Sequence, residues 1–225
     1  MKVNYIDHMG SDLRVVNAAR VSFDKVSTWE RVSDNDPYEA AIVDVLSKKD
    51  VKLIQYLAEH NHWTPFGHCQ ATFRIQAPIF VARQLGKHQV GMVWNEVSRR
   101  YVDSDPRFYR PTEWRKRAKN IKQGSSEETV KYSAAPLYAY AYQCYSNMLD
   151  DGICPEQARM VLPQSMYTEW YWTGSLAAWA RVCQQRLDRH TQRETQDVAK
   201  MLDKEMEKLY PISWKALMEA ANEQE

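Results

Sequence analysis

The sequence predicts a mixed helix-and-strand protein folded as one domain over residues 1–225. That length suits one domain, or one domain with an elaboration, and is enough to bury a core. Two stretches, 69–76 and 166–172, show period-two alternation, the mark of strands with one buried face. Much of the remaining chain carries apolar residues three and four apart, the mark of helices. An apolar fraction of 44% and eight tryptophans place the chain among folded sequences.

Taken in order, residues 2–8 are a short strand candidate. Residues 13–21 (LRVVNAARV) have helical spacing and lead through Ser22, by itself a helix-end serine, to a polar loop over 24–36. Asp36 followed by Pro37 reads as a helix start, an N-cap with proline in the first turn. Residues 38–46 and 51–60 then carry helical spacing. His60, His62 and His68 follow, which invites a metal reading. Their spacing matches no familiar zinc pattern and no acid lies between them, so a polar turn with one or two ligand contacts is the better reading. Beyond the strand at 69–76, Pro78 opens a helix over 79–85.

From Tyr101 to Gly124 the chain is charged and weakly patterned, including Arg115-Lys116-Arg117, and reads as an exposed excursion. The Gly124-Ser125-Ser126 break precedes a long helix over 127–149. Its Tyr138, Tyr142 and Tyr145 suit a core or a subunit interface. Pro155 begins another helix that ends at 161–163, ahead of the strand at 166–172. A helix over 175–191 places Arg186, His190 and Arg193 on one polar stripe. Helices over 194–210 and 212–221 close the chain, with no internal repeat.

Composition narrows the function. The net charge is +1, so no global basic field awaits nucleic acid and any cationic site is local. The first ten residues lack the apolar core of a signal peptide, and no apolar run approaches the roughly 20 residues of a membrane span. Cys69, Cys144, Cys154 and Cys183 are scattered without a CxxC pair, which fits reduced, structural, intracellular thiols.

The stretch 83–101 (RQLGKHQVGMVWNEVSRRY) stands apart. It gathers Arg83, Lys87, His88, Arg99 and Arg100 with planar or hydroxyl hydrogen bonders, against the single carboxylate of Glu96. That is the chemistry that grips phosphates and carboxylates, although a solvated basic loop has the same composition. Gly86 and Gly91 let the backbone turn or approach a ligand.

Lys87-His88-Gln89, eight residues, then Ser98 resembles the Arg-His-Arg…Ser motif of flavin-dependent thymidylate synthases. Asn95-Glu96-x-Ser98-x-Arg100-Tyr101 matches that family's pattern residue for residue, whereas Lys87 and Gln89 stand where the family has arginines. Further blocks resemble the family in its own order. They are Ala19-Arg20-Val21-Ser22, His62-x-Thr64-Pro65-Phe66-x-His68, Ala158-Arg159-x-x-Leu162-Pro163 and Arg186-x-x-x-His190.

The resemblance implies an α+β fold, a twisted and mainly antiparallel sheet with packed helices, and a homotetramer whose active sites are shared between subunits. It implies methylation of dUMP to dTMP with 5,10-methylenetetrahydrofolate as carbon donor, releasing tetrahydrofolate, and with FAD reduced by NADPH. By the same resemblance, dUMP falls to Gln84, Lys87, Glu96, Ser98, Arg99, Arg100, Arg159 and Arg186, with Arg186 the catalytic residue beside the uracil. FAD falls to Thr64, Lys87, His88, Gln89, Asn95, Glu96, Ser175, Arg181 and His190. Ser175 and Arg181 occupy places where the family has asparagines. The protein is then cytoplasmic, with small-molecule substrates, no metal, no nucleic acid and no membrane partner.

Three other classes deserve weighing. Ser98 with His88 suggests a hydrolase, but no Gly-x-Ser-x-Gly elbow surrounds Ser98. The cysteine-using thymidylate synthases need a reactive thiol, and no cysteine here sits beside a cation cluster. A nucleotide- or nucleic-acid-binding module would use the same cations without catalysis, and predicts steeply salt-dependent binding.

Overall fold

The structure, a computed structural model, describes residues 1–33, 42–119 and 124–222. The first half of the chain runs through strand β1 (Lys2–Met9), helix α1 (Asp12–Arg20), strands β2 (Glu30–Ser33) and β3 (Ile42–Val45), and helix α2 (Lys48–Glu59). Strand β4 (Gln70–Pro78), helix α3 (Ile79–Leu85) and strand β5 (Met92–Glu96) follow. The second half holds strands β6 (Trp114–Arg117) and β7 (Ser125–Val130), helix α4 (Ala135–Asp150), the single turn α5 (Pro155–Ala158) and strand β8 (Tyr167–Ser175). Helices α6 (Leu176–Leu187), α7 (Arg193–Leu209) and α8 (Pro211–Asn222) complete it.

The central sheet has the order β1-β4-β8-β5, antiparallel throughout, so the α+β expectation holds. Strict alternation decides its inner face. Ala71, Phe73, Ile75 and Ala77 of β4 and Trp170 and Trp172 of β8 are buried, while the residues between them are not. In register, Phe73 lies beside Trp172 and Ile75 beside Trp170. Trp94 of the edge strand β5 stacks on Trp170 at 4.3 Å, and Trp172 meets Trp179 of α6 edge-on at 4.8 Å. Trp170, Trp172 and Trp179 are fully buried and each contributes on the order of 2–3 kcal/mol, whereas Trp94 is partly buried. The Met92 thioether packs directly over Gly174, where a Cβ would come within 2.2 Å of Met92 Sδ and would displace that side chain.

Helices α6 and α7 pack on the sheet, and α8 packs on them and on α2. Helix α6 turns Trp179 to the sheet and buries Ala177 and Ala180 on the side of Leu57 and Phe66, and Val198, Leu202 and Met206 recur every fourth residue as the buried stripe of α7. Buried Asp12 accepts from the backbone N–H groups of Ile212 and Ser213, so a carboxylate from α1 satisfies the orphan donors that open α8.

Several expectations need correction. Residues 42–45 are the strand β3, paired with β2, rather than the end of a helix over 38–46; the Asp36-Pro37 start lies outside the described residues. The polar loop expected over 24–36 contains β2, and its residues after 33 lie outside the described ones. The excursion after Tyr101 contains β6, and the helix expected from 127 begins only at Ala135, because 125–130 pair with β6 as β7. Pro136 in the first turn of α4 sets that later start. The stretch 83–101 contains β5. The helix expected over 175–191 stops at Leu187, where Asp188 adopts ψ 139, so His190 lies in a loop rather than on a helical stripe. No helix among the described residues is long and apolar enough to cross a membrane.

Candidate active site

The end of α3 and the end of α6 meet at the centre of the site. Helix α3 stops at Leu85, and the turn through Gly86 is closed by the His88 N–H donating to the Leu85 carbonyl at 3.0 Å. Arg186 lies in the last turn of α6. Its Nε–H donates to His88 Nε2 at 2.9 Å, and a terminal N–H donates to the Gln84 carbonyl at 3.4 Å. That carbonyl belongs to the last turn of α3 and also accepts from the Lys87 N–H at 3.4 Å, so the guanidinium takes its second lone pair.

Two cavities adjoin this contact. The larger, about 740 Å³, is lined by Gln84, Arg186, the loop from Arg189 to Gln192 and the N-terminus of α7, with Arg115, Ser125 and Glu127 of the β6–β7 hairpin forming its far wall. The smaller, about 520 Å³, lies between α3 and β5, with Arg83, Lys87, His88, Gln89, Trp94 and Glu96 in its lining. Arg186 lines the first and His88 the second, so their hydrogen bond forms part of the wall between them.

Electrostatics fits that geometry. Burial, and then the nearby charges of Arg186 and Arg181, push the His88 pKa down to about 4. Its ring is therefore neutral at pH 7, as an acceptor at Nε2 must be. Burial also lowers the Arg186 pKa from its ordinary value, yet a guanidinium stays charged over the whole working range.

Gln84 is held from two sides. Its Nε2 donates to Gln192 Oε1, and its Oε1 accepts from the hydroxyl of fully buried Thr195 at 3.0 Å. Glu96 accepts from Thr168 Oγ1 at 2.6 Å and from Trp94 Nε1 at 3.2 Å. The hairpin is clasped to α7 by two ion pairs. Arg115 reaches both oxygens of Glu194 at 2.8 and 2.9 Å, and Arg193 reaches Glu127 at 2.7 and 2.8 Å.

Of the residues expected in the site, Gln84, Lys87, His88, Gln89, Glu96, Arg186 and His190 come together around these cavities. The others lie elsewhere on the single chain. Asn95 is on the opposite face of β5 from Trp94 and Glu96. Ser98 and Arg100 occupy the exposed turn after β5, where Ser98 Oγ accepts from the Arg100 N–H and the Arg100 guanidinium lies 5.0 Å from the Tyr101 ring. Arg99 lines a third cavity of about 160 Å³ and donates to the Ser104 carbonyl. Arg159 is exposed on a 3-10 turn, and Thr64 precedes the 3-10 turn Pro65–His68. Ser175 caps α6 by accepting from the Ala178 N–H, and Arg181 donates to the Val90 carbonyl. Gly91, at φ +75, packs where a Cβ would sit 3.2 Å from Ser175 Oγ, which ties the central turn to the start of α6.

Sequence reasoning missed Arg115, Gln192, Glu194 and Thr195. Their only local signal was a basic triplet followed ten residues later by Ser-Ser-Glu-Glu, the two halves of a hairpin. Among the described residues no group of three or more His, Cys, Asp or Glu side chains could hold a metal ion. His60 instead stacks on Tyr56 at 4.0 Å and bonds its carbonyl. Ser98 and His88 each bond other partners, which leaves no Ser–His pair. Burial pushes the Cys69 thiol up to about 11, and that of Cys183 well up also, the opposite of an activated nucleophile.

The site is thus an arginine held between two cavities, each with cations in its lining, on an antiparallel sheet backed by helices. The chain belongs to the thymidylate synthase complementing protein family, whose model matches residues 4–212. It is 36% identical over 224 residues to the flavin-dependent thymidylate synthase of Thermosipho africanus, covering 96% of this chain and 90% of that protein. It is 34% identical over 221 residues to the flavin-dependent thymidylate synthase of Thermus thermophilus, covering 96% and 75%. In three dimensions it is similar to the UMP/dUMP methylase PolB from Streptomyces cacaoi bound with 5-Br dUMP, at TM-score 0.79 and 30% identity, covering 97% and 94% of the two chains.

Proposed function

We propose that the protein is a flavin-dependent thymidylate synthase, converting dUMP to dTMP with 5,10-methylenetetrahydrofolate as carbon donor and NADPH as reductant of FAD. The observation that carries this reading is the Arg186 guanidinium, fixed by His88 and Gln84 where the two cavities meet. The smaller cavity has the donor set an FAD needs: Arg83, Lys87 and Gln89 for phosphate oxygens, and Met92 and Trp94 for a flat ring. Bound there, the flavin supplies hydride chemistry that no side chain of the protein can.

The protein's own part is to bind, orient and polarise. Arg186 favours negative charge developing on the pyrimidine. Gln84, its amide oriented by Thr195 and Gln192, reads the base or sugar. Ser98, Arg99, Arg100 and Arg159 supply directed donors for the phosphate, with Lys87 and Glu96 serving substrate and flavin alike. Thr64, Asn95, Ser175, Arg181 and His190 complete the flavin contacts by resemblance. Ser98, Arg100, Arg159, Asn95 and Thr64 lie outside the two cavities of one chain, which supports a homotetramer whose sites take residues from more than one subunit. The uncovered flank of β5 supports the same assembly, with Val93 64% and Tyr101 75% exposed. We place the enzyme in the cytoplasm, with its folate and nucleotide substrates.

Protein reconstituted with excess FAD is expected to retain flavin absorbance after gel filtration and to lose it on addition of NADPH. A colourless protein that does not oxidise NADPH sinks the reading. A finer expectation concerns Thr195→Val, which keeps the volume but removes the donor to Gln84. Weaker dUMP binding by about 5- to 30-fold, the worth of one buried hydrogen bond, is expected at unchanged flavin content. Equal dUMP affinity in the variant and the wild type would show that the Gln84 amide does not read the substrate.

A further inference from the structure

An arginine that must meet a ligand from the end of a helix carries long, freely rotating side-chain bonds, and a ligand that fixes it bears the entropy of doing so. Arg186 does not have that freedom. Its Nε–H is committed to His88 Nε2 at 2.9 Å and one terminal N–H to the Gln84 carbonyl at 3.4 Å. Two contacts on one planar group lock its plane and leave the remaining N–H groups for a ligand. The choice of acceptors also matters. A carboxylate partner would neutralise the guanidinium, whereas an imidazole and a carbonyl hold it and leave its charge uncompensated. Burial lowers the Arg186 pKa, and the contacts that hold the group are to an imidazole and a carbonyl rather than to an acid.

The backbone prepares this arrangement. The turn after α3 is tied by the His88 N–H to the Leu85 carbonyl, so the imidazole and the Gln84 carbonyl are presented together at one helix end. We propose that His88 is a positioning residue, whose imidazole Nε2 holds the Arg186 fork in place across the wall between the two cavities before any ligand arrives. The reading of Arg186 as the residue beside the substrate ring underlies this proposal; the state of the His88–Arg186 contact itself does not depend on it. Arg83, Lys87 and Glu96 line the same cavity as the ring, and burial with the charges of Arg186 and Arg181 keeps it unprotonated.

The test uses the full-length protein with histidines labelled by 15N, the His88 signal being assigned by its loss in His88→Gln. The expected spectrum shows Nδ1 protonated and Nε2 free, with no titration above about pH 5. In Arg186→Gln the same ring should titrate about one pH unit higher, because one of the two cations that lower its pKa is gone. In turnover assays at matched flavin content, His88→Ala should lower kcat by roughly 10- to 100-fold. His88→Gln, whose amide oxygen reaches the position of Nε2, should recover kcat to within about 3-fold of wild type. A merely structural role would not give that rescue. The proposal is overturned if His88 titrates near its ordinary value in the wild type, if His88→Ala keeps wild-type kcat, or if His88→Gln is as slow as His88→Ala. A wild-type protein that forms no dTMP but shows the Nδ1-protonated ring and its dependence on Arg186 would defeat the proposed function and leave the His88–Arg186 contact standing.

Discussion

Arg186→Ala and Arg186→Lys are both expected to lower dTMP formation by about 30-fold to several hundred-fold, the loss of ~2–4 kcal/mol of transition-state stabilisation. Alanine removes the charge. Lysine keeps a charge but loses the planar fork, and the structure shows why the fork matters. Arg186 meets His88 Nε2 through Nε and the Gln84 carbonyl through a terminal nitrogen, and still has donors left for a ligand. A single ammonium is strongly hydrated, has no fixed plane and cannot serve both protein acceptors while presenting a directed pair outward. Bound FAD should change little in either variant, because the cationic lining of the smaller cavity comes from Arg83 and Lys87 rather than Arg186. The measurement is dTMP formation together with flavin content in the two variants. Turnover near wild type in both would mean that Arg186 is a half-buried cation with no part in the reaction.

How much of this was legible in the sequence depended on whether the cause was local. Strands β4 and β8 and helix α3 could be read, because alternation of period two and a proline at position 78 act on neighbouring residues. Strand β5 was missed inside the basic stretch. Its Met92, Trp94 and Glu96 face one way, but five residues flanked by glycine and charge give too short a period to separate from a loop. Strands β6 and β7 failed for a related reason. They are held by pairing with each other and by ion pairs to α7, and their exposed, charged sequence carries almost no apolar pattern.

The site divided along the same line. The chemistry of 83–101 and of Arg186 was visible as residue types, whereas their partnerships were not. His88 and Arg186 are 98 positions apart and Arg115 and Glu194 are 79 apart. No periodicity within either segment encodes such a pairing.

Arg115→Met is expected to be the most destabilising single change in the wall of the larger cavity, at about 3–5 kcal/mol at pH 7. The Arg115 and Glu194 side chains are only 17% and 6% exposed, and the guanidinium touches both carboxylate oxygens. It also donates to Ser125 Oγ at 2.7 Å, which locks β6 to β7. Methionine fills much of the same volume, so the cost arises from leaving the Glu194 charge buried and unpaired rather than from a void.

The dependence on pH separates this cause from a general loss of packing. In the wild type, burial pushes the Glu194 carboxyl up, but its own backbone N–H and Arg115 more than offset that and hold it below its usual range. A depressed carboxyl stabilises the fold above the unfolded value of about 4.3 and loses that contribution as pH falls through the folded value. Without Arg115, burial prevails and the carboxyl rises above its unfolded value. The variant then carries a penalty at pH 7 that protonation removes as pH falls.

The deficit of Arg115→Met is therefore expected to be largest at pH 7 and to shrink toward pH 5. At pH 7 it should appear as a fall in Tm of roughly 6–20 °C for a chain of this length. Adding Glu194→Gln to Arg115→Met should recover much of the loss at pH 7, because an amide can be buried without a counter-charge. Thermal unfolding of both variants at pH 5 and pH 7 decides the matter. A deficit equal at the two pH values, or no recovery in the double variant, would mean that the hairpin is held over the cavity by packing and not by the Arg115–Glu194 pair.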